Sequence, residues 1–322
     1  MDYQTRRVAV LNGLHYQDVR NKLTILGCGS AIPTAKNNPS GYVLEMNDKQ
    51  FLIDCGEGVQ NTMRQMMFRT TRLYTVFISH LHGDHCFGLL GLISTWGMMN
   101  RTQDLHIYAH KDLERLLRPL LDYHCPDISF QVIFHPIDPK KKAVIFEDRT
   151  IQVSTIPLRH SVPTCGFLFE EKPRRRHIIN DKIIELHIPY FAVPSIQAGK
   201  DWTTKEGVVI PNGELTLPPR KSFRFAYCSD TGYKPAIVPQ IKGVDVLFHE
   251  ATYLEEFKES AARYQHSTAK QAAKIALKAE AGKLIIGHFS ARVPQQQQFL
   301  DEAKEVFENV ELAEDRKVFE FK

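Results

Sequence analysis

The chain has 322 residues, 43% of them hydrophobic, and a formal net charge of only +4. A chain of that size and composition can bury a large core within a single domain, residues 1–322. No apolar run approaches the roughly 18–20 residues of a membrane span. The first 22 residues also lack the apolar core and small-residue cleavage site of a secretory signal, so no membrane or export role is expected. The six cysteines (28, 55, 86, 125, 165 and 228) are scattered without a Cys-x-x-Cys pair. Buried thiols in a reduced, cytoplasmic protein are expected.

In chain order, the first predicted strand is Thr24-Ile25-Leu26. Residues 1–21 before it add either an edge strand or a hairpin. Gly27-Cys28-Gly29-Ser30 reads as a phosphate cradle or, as a lone glycine pair more often does, as a tight turn after the strand. Val76-Phe77-Ile78 reads as a buried strand. It runs into Ser-His-Leu-His-Gly-Asp-His at residues 79–85, which places three histidines and an aspartate within six residues. Imidazole nitrogens and a carboxylate are the donors zinc prefers, with manganese as an alternative. In an extended chain His80 and His82 share a side. Asp84 and His85 follow the turn at Gly83 and can face a second ion. Cys86 next to them is expected to pack as a small hydrophobe.

Further on, an alternating stretch, Ile151 to Ile156, precedes His160. Phe225 to Cys228 precedes Asp230, the apolar run Val244 to Phe248 precedes His249-Glu250-Ala251-Thr252, and Leu284 to Gly287 precedes His288. His266-Ser267-Thr268 opens an alanine-rich stretch to Ala281, where Thr268 and Gln271 match a capping box and predict a helix start. Gln295 to Gln298 reads as another helix start before Phe299 and Leu300. There is no internal repeat or low-complexity linker.

One stretch interrupts this pattern. Lys172 to Lys205 carries seven basic residues (Lys172, Arg174, Arg175, Arg176, Lys182, Lys200 and Lys205) against Asp181, Glu185 and Asp201. The remaining chain has 34 basic and 34 acidic residues, so the whole net charge resides here. Such a stretch is either a basic arm for phosphate contacts or a solvated loop. Ile183, Ile184, Leu186, Ile188, Tyr190 and Phe191 add apolar surface suited to a small helix or to another subunit.

The run at 79–85 closely resembles that of the metallo-β-lactamase superfamily. The resemblance implies an α/β fold, a four-layer αβ/βα sandwich with metals at one edge. It implies His80, His82 and His160 around one ion, Asp84, His85 and His288 around a second, and Asp230 bridging, with two zinc ions per chain (manganese an alternative) and a water between them. A lone histidine after a strand is usually an ordinary surface or core residue. Four ligand-bearing strand ends in order are much harder to explain that way.

His249 to Thr252 and His266 to Thr268 resemble motifs of the ribonuclease Z family, endonucleases that trim the 3′ end of precursor tRNA. The resemblance runs from about Leu23 to the C-terminal region. It implies that His266, oriented by Glu250, protonates the departing 3′-oxygen, and it counts Asp84 with these two as catalytic. An alkoxide is a poor leaving group without a proton, and a carboxylate-paired histidine is a good donor near neutral pH. Phe51 to Gly58 resembles the family's first motif, in which Asp54 supports the ligand loop. His288 to Arg292 matches the segment around the last ligand.

The family also implies an arm at 172–205 that grips tRNA through Lys172, Arg174, Arg175 and Arg176, a homodimer, and acceptor-end contacts from the loop after the first strand. The sequence departs from the family twice. The arm tip, Ile188 to Pro194, lacks glycines, and Pro33-Thr34-Ala35-Lys36-Asn37-Asn38 has alanine and asparagine where lysine and arginine are usual, leaving Lys36 to serve in part. Two rival readings remain: a phosphodiesterase for small or cyclic phosphodiesters, which needs no basic arm, and a non-catalytic RNA-binding scaffold, which needs no complete ligand set.

Overall fold

A computed structural model describes residues 21–321 apart from position 294. The expectation for residues 1–20 lies outside these. The strands in chain order are β1 (Asn21–Gly27), β2 (Gly41–Met46), β3 (Lys49–Cys55), β4 (Leu73–Phe77), β5 (Leu105–His110), β6 (Val132–Ile137), β7 (Val144–Glu147), β8 (Ile151–Pro157) and β9 (Cys165–Glu171). They continue as β10 (His177–Ile178), β11 (Trp202–Thr203), β12 (Val209–Ile210), β13 (Thr216–Leu217), β14 (Arg224–Cys228), β15 (Val246–Glu250), β16 (Lys283–Gly287), β17 (Val310–Leu312) and β18 (Val318–Phe321).

Two seven-stranded sheets result, ordered β18-β1-β2-β3-β4-β5-β6 and β17-β16-β15-β14-β9-β8-β7. Each is antiparallel in one half and parallel in the other, with β3 to β6 parallel in the first sheet and β14 to β17 parallel in the second. The inner faces meet in an aromatic core that includes Tyr42, Phe51, Phe77, Phe167, Phe169, Tyr227 and Phe248. Phe77 alone lies 5.0–6.3 Å, ring to ring, from Phe51, Tyr108, Phe146, Phe167 and Phe169. Truncating such a ring to alanine costs about 3–5 kcal/mol. Phe77 ends β4 three residues before His80, so the same packing anchors the first histidine loop.

Helices cover both outer faces. Gly88–Met98 and Asp112–His124 bury leucines against the first sheet. Ala269–Lys278 turns Ala269, Ala272, Ala273 and Ala276 onto the second, where small side chains let helix and sheet approach closely. Its N-terminus carries the expected capping box between Thr268 and Gln271. The four-layer sandwich is therefore present, and the helix expected near Gln295 spans Gln297–Lys304.

Two readings are refined. The segment after β1 is a turn and not a phosphate cradle, because protein acceptors take its N–H groups. Cys28 donates to Asp315 Oδ1 (3.1 Å), Gly29 to Asn38 O (2.9 Å) and Ser30 to Phe289 O (3.2 Å). Glycine is required at Gly27, where a Cβ would stand 2.0 Å from Pro39 O.

The arm also outruns its expected boundary at Lys205. It leaves after β9 and returns at β14, and β10 pairs with β13 (His177 with Leu217, Ile178 with Thr216). Ile188, Ala192, Ile196, Ile210 and Leu215 form its own small core, joined by Ile178, Ile183, Leu186 and Trp202. The inserted unit is therefore residues 172–223. It holds nine basic and five acidic residues, so the net +4 still resides in it. Ile184, Tyr190 and Phe191 remain exposed on it.

Candidate metal centre

Strand ends from the parallel halves of the two sheets, joined by the end of antiparallel β8, meet at one edge. His80 lies three residues past β4, His160 three past β8, Asp230 two past β14, Glu250 closes β15, and His288 follows β16 directly. The turn after His82 becomes a short helix, Gly83–Cys86, that swings Asp84 and His85 inward. Cys86 packs against the first sheet's core, as expected, and its thiol reaches His82 O at 3.4 Å.

All seven expected ligands converge. His80, His82, His160 and Asp230 each offer a donor atom within 4.8 Å of the others, and so do Asp84, His85 and His288. Asp230 faces both groups. Its Oδ2 lies 3.7 Å from His80 Nε2 and from His160 Nε2, and its Oδ1 lies 3.4 Å from His85 Nε2 and 3.3 Å from His288 Nε2. Asp84 Oδ2 closes the second group at 3.6 Å from His85 and 3.4 Å from His288.

These residues fit a pair of cations. His85 Nε2 and Asp230 Oδ1 are buried without a hydrogen-bond partner, a costly state for polar atoms unless an ion engages them. Burial, reinforced for His80 by the neighbouring His85, lowers the pKa of His80, His82 and His160, so their lone pairs stay available to a metal. Burial alone would raise the pKa of Asp230, but the surrounding histidines hold it well below the usual carboxylate range. Burial would likewise lower His85, yet Asp230 and Asp54 raise it, so this corner of the site favours positive charge.

A second layer of contacts fixes these side chains. Asp54 is fully buried and accepts from Ser79 N (2.8 Å), Ser79 Oγ (2.9 Å), His85 Nδ1 (2.8 Å) and Tyr227 OH (2.7 Å). His160 Nδ1 donates to Gln265 O (3.1 Å) and His288 Nδ1 meets Thr252 Oγ1 (2.9 Å), which points each Nε2 at the site. Ala31, Asp54 and His288 all have positive φ (61°, 56° and 62°), a strained backbone that the surrounding contacts sustain.

Across the same cavity, His266 Nδ1 lies 3.0 Å from Glu250 Oε1 and 3.2 Å from Thr252 Oγ1. Burial would lower its pKa, but the Glu250 carboxylate outweighs that and lifts it to about 9. Glu250 also accepts from the backbone N–H of Thr231 (3.0 Å), Thr252 (2.9 Å) and Ser267 (3.0 Å) and from Thr252 Oγ1 (2.8 Å). His266 thus keeps Nε2 for whatever enters the cavity.

That cavity has a volume of about 430 Å³, and Tyr253, Tyr264, Ser161 and Arg292 join the ligands in its lining. A groove of about 220 Å³ shares Ser30 and Ser290 with it and includes Lys36. Of the arm cations, Lys172 pairs with Glu147 (2.5 Å), Arg174 reaches Asn47 and Glu171, and Arg176 Nε donates to Thr216 Oγ1 (2.6 Å). Arg175 is exposed and forms no ion pair among the described residues. Three of the four arm residues expected at RNA are therefore engaged by the protein itself.

Two features were invisible in the sequence. The Ala31 N–H donates to Asp84 Oδ2 (2.8 Å), and Asp315 holds the whole 28–38 loop through Cys28 and Asn38 N (2.7 Å). Neither a backbone donor nor a contact spanning 277 residues leaves a local pattern.

Residues 21–183 match the family model of the anti-Pycsar protein Apyc1, and residues 203–289 match the β-lactamase superfamily domain. The ribonuclease Z of Bacteroides thetaiotaomicron is 50% identical over 91% of this chain and 92% of its own, and that of Porphyromonas gingivalis is 48% identical over 91% and 96%. The fold matches the crystal structure of the human short-form tRNase Z with a TM-score of 0.67 at 23% identity, covering 92% of this chain and 98% of that one. It matches the metallo-β-lactamase fold protein YhfI of Bacillus subtilis at 0.64 and 20% identity, over 94% and 99%. At such identity and coverage the chain belongs to the ribonuclease Z family, metal-dependent endoribonucleases of the metallo-β-lactamase superfamily.

Proposed function

We propose that the chain cleaves precursor tRNA at its 3′ end, leaving a 3′-hydroxyl on the tRNA and a 5′-phosphate on the trailer. His80, His82 and His160 would hold one zinc-class ion, Asp84, His85 and His288 another, and Asp230 would span both. When bound, the ions supply Lewis acidity toward the phosphoryl oxygens and a water made nucleophilic near neutral pH. The protein's own part is proton delivery and positioning. His266, held by Glu250, gives its proton to the departing 3′-oxygen of the tRNA. Thr252 and Asp54 hold the ligand rings at their angles. The observation that carries this reading is the opposition, across one cavity, of the Asp230-centred ligand cluster and the His266–Glu250 pair 3.0 Å apart.

The arm, residues 172–223, would grip the RNA body. Exposed Arg175, Lys200 and Lys205 suit phosphate contacts, and exposed Tyr190 and Phe191 suit stacking on bases. Lys36 in the neighbouring groove would meet the acceptor end. Exposed Met67, Phe87, Met98 and Met99 support a homodimer. No helix among the described residues is long and apolar enough to cross a membrane, and a cytoplasmic location follows from this substrate.

The rival, a phosphodiesterase for small or cyclic phosphodiesters, would use the same ligands but has no use for the arm. One assay separates them: cleavage of precursor tRNA, bis-p-nitrophenyl phosphate and cyclic AMP by the same zinc-loaded preparation. Efficient 3′ cleavage of the tRNA supports the proposal. Turnover of cyclic AMP alone would replace it with the rival.

A further inference from the structure

The arm has its own core, and among the described residues its hydrogen bonds and ion pairs to the sandwich come from two legs, an outgoing one at 172–176 and a returning one at 218–223. One buried carboxylate touches both. Glu171, the last residue of β9, has a side chain only 1% exposed. Its Oε1 accepts from Arg174 Nη2 in the outgoing leg (3.4 Å) and from Arg220 Nη2 in the returning leg (3.0 Å). Its Oε2 accepts from Arg220 Nη2 (3.1 Å) and from the backbone N–H of Phe223 (2.9 Å), and its own N–H donates to Phe223 O (2.9 Å). Arg174 extends the lock to Asn47, in the turn between β2 and β3 on the other sheet.

A carboxylate this deeply buried needs charged partners, and here both come from the arm's legs. The two guanidinium side chains are about a third exposed, so each can return to water if the carboxylate is neutralised. Pro173, Pro218 and Pro219 restrict the legs themselves, which concentrates any swing of the arm at this joint.

We propose that Glu171 is a positioning residue that sets the arm's angle to the metal edge. RNA held by the arm then presents its scissile phosphate at a fixed distance from the site. This rests on the reading of the arm as the RNA grip. Glu171 touches neither substrate nor the metal ligands, so its loss should weaken productive RNA binding while leaving the chemistry intact. A grip on a swinging arm lowers the effective concentration of the phosphate at the site.

The test uses zinc-loaded full-length Glu171→Gln and Arg220→Gln, with Arg220→Lys as the conservative rescue and a variant lacking residues 173–222 as reference. Trypsin cleavage within the arm should be faster in both glutamine variants and restored in Arg220→Lys. KM for precursor tRNA should rise about tenfold with kcat nearly unchanged, a loss of effective concentration rather than of chemistry. Turnover of bis-p-nitrophenyl phosphate should stay at the wild-type level. Unchanged trypsin rates and tRNA KM in both variants would overturn the proposal. So would an equal fall in turnover on both substrates, which would make Glu171 merely structural. A tRNA KM raised by the deletion but not by the point variants sinks the clamp alone. A KM unmoved by the deletion sinks the arm reading and the clamp's role with it.

Discussion

Replacing His266 with alanine separates proton donation from metal binding. The Glu250 carboxylate raises the pKa of His266, which favours the protonated ring that can act as the donor. Losing a positioned general acid costs about 10²–10⁴-fold, equivalent to about 2.7–5.4 kcal/mol of transition-state stabilisation. The site around it should survive. Glu250 loses its charged partner but keeps four neutral donors, from Thr231 N, Ser267 N, Thr252 N and Thr252 Oγ1, so its carboxylate stays hydrogen-bonded in place. His288 keeps its bond to Thr252. The assay is single-turnover cleavage of precursor tRNA beside bis-p-nitrophenyl phosphate, with zinc measured by elemental analysis on the same samples. The full loss is expected only on tRNA, whose alkoxide leaving group needs the proton, while the nitrophenolate ester should lose far less. Loss of zinc, or an equal loss on both substrates, would refute the assignment and make His266 a ligand or a structural residue.

Four further outcomes are expected. Glu250→Gln removes the charge that raises the pKa of His266, so the alkaline limb of the kcat profile should move to lower pH; a limb that stays put would show that Glu250 does not tune this donor. Asp230→Ala removes the carboxylate that faces both ligand groups and should abolish hydrolysis and much of the zinc; active protein with one ion or none would overturn the two-metal scheme. Asp54→Asn preserves the positive φ of 56°, which asparagine tolerates. It weakens the hold on Ser79 and His85, so zinc affinity in a chelator competition should fall about 10–100-fold. Excising residues 173–222 with a short Gly/Ser closure should retain cleavage of bis-p-nitrophenyl phosphate and flatten the salt dependence of tRNA binding, by a log–log slope of about 0.7–0.9 per lost phosphate contact; an unchanged slope would mark the arm as a solvated lobe.

By itself the sequence determined the donors and their strands. Each candidate ligand segment follows an apolar or alternating run, so strand, turn and donor form one local unit readable within about ten residues. The capping box at Thr268 and the His266 segment before it were legible for the same reason. Resemblance then supplied the pairing of Glu250 with His266 and the supporting role of Asp54, and both contacts are present. Tertiary structure decided whatever depends on which strands become neighbours. Only the packing of β14 between β9 and β15 turns the two oxygens of Asp230 toward different ligand groups. Only the pairing of β10 with β13 carries the arm past Lys205 to its return at Phe223. The basic run at 172–176 looked like one RNA-binding surface because charge is visible in a sequence and its partners are not. Folding placed Glu147, Glu171 and Thr216 against three of those four cations. Pairwise contacts over tens to hundreds of residues leave no local periodicity, so they become visible only once the sheets have closed on their common core.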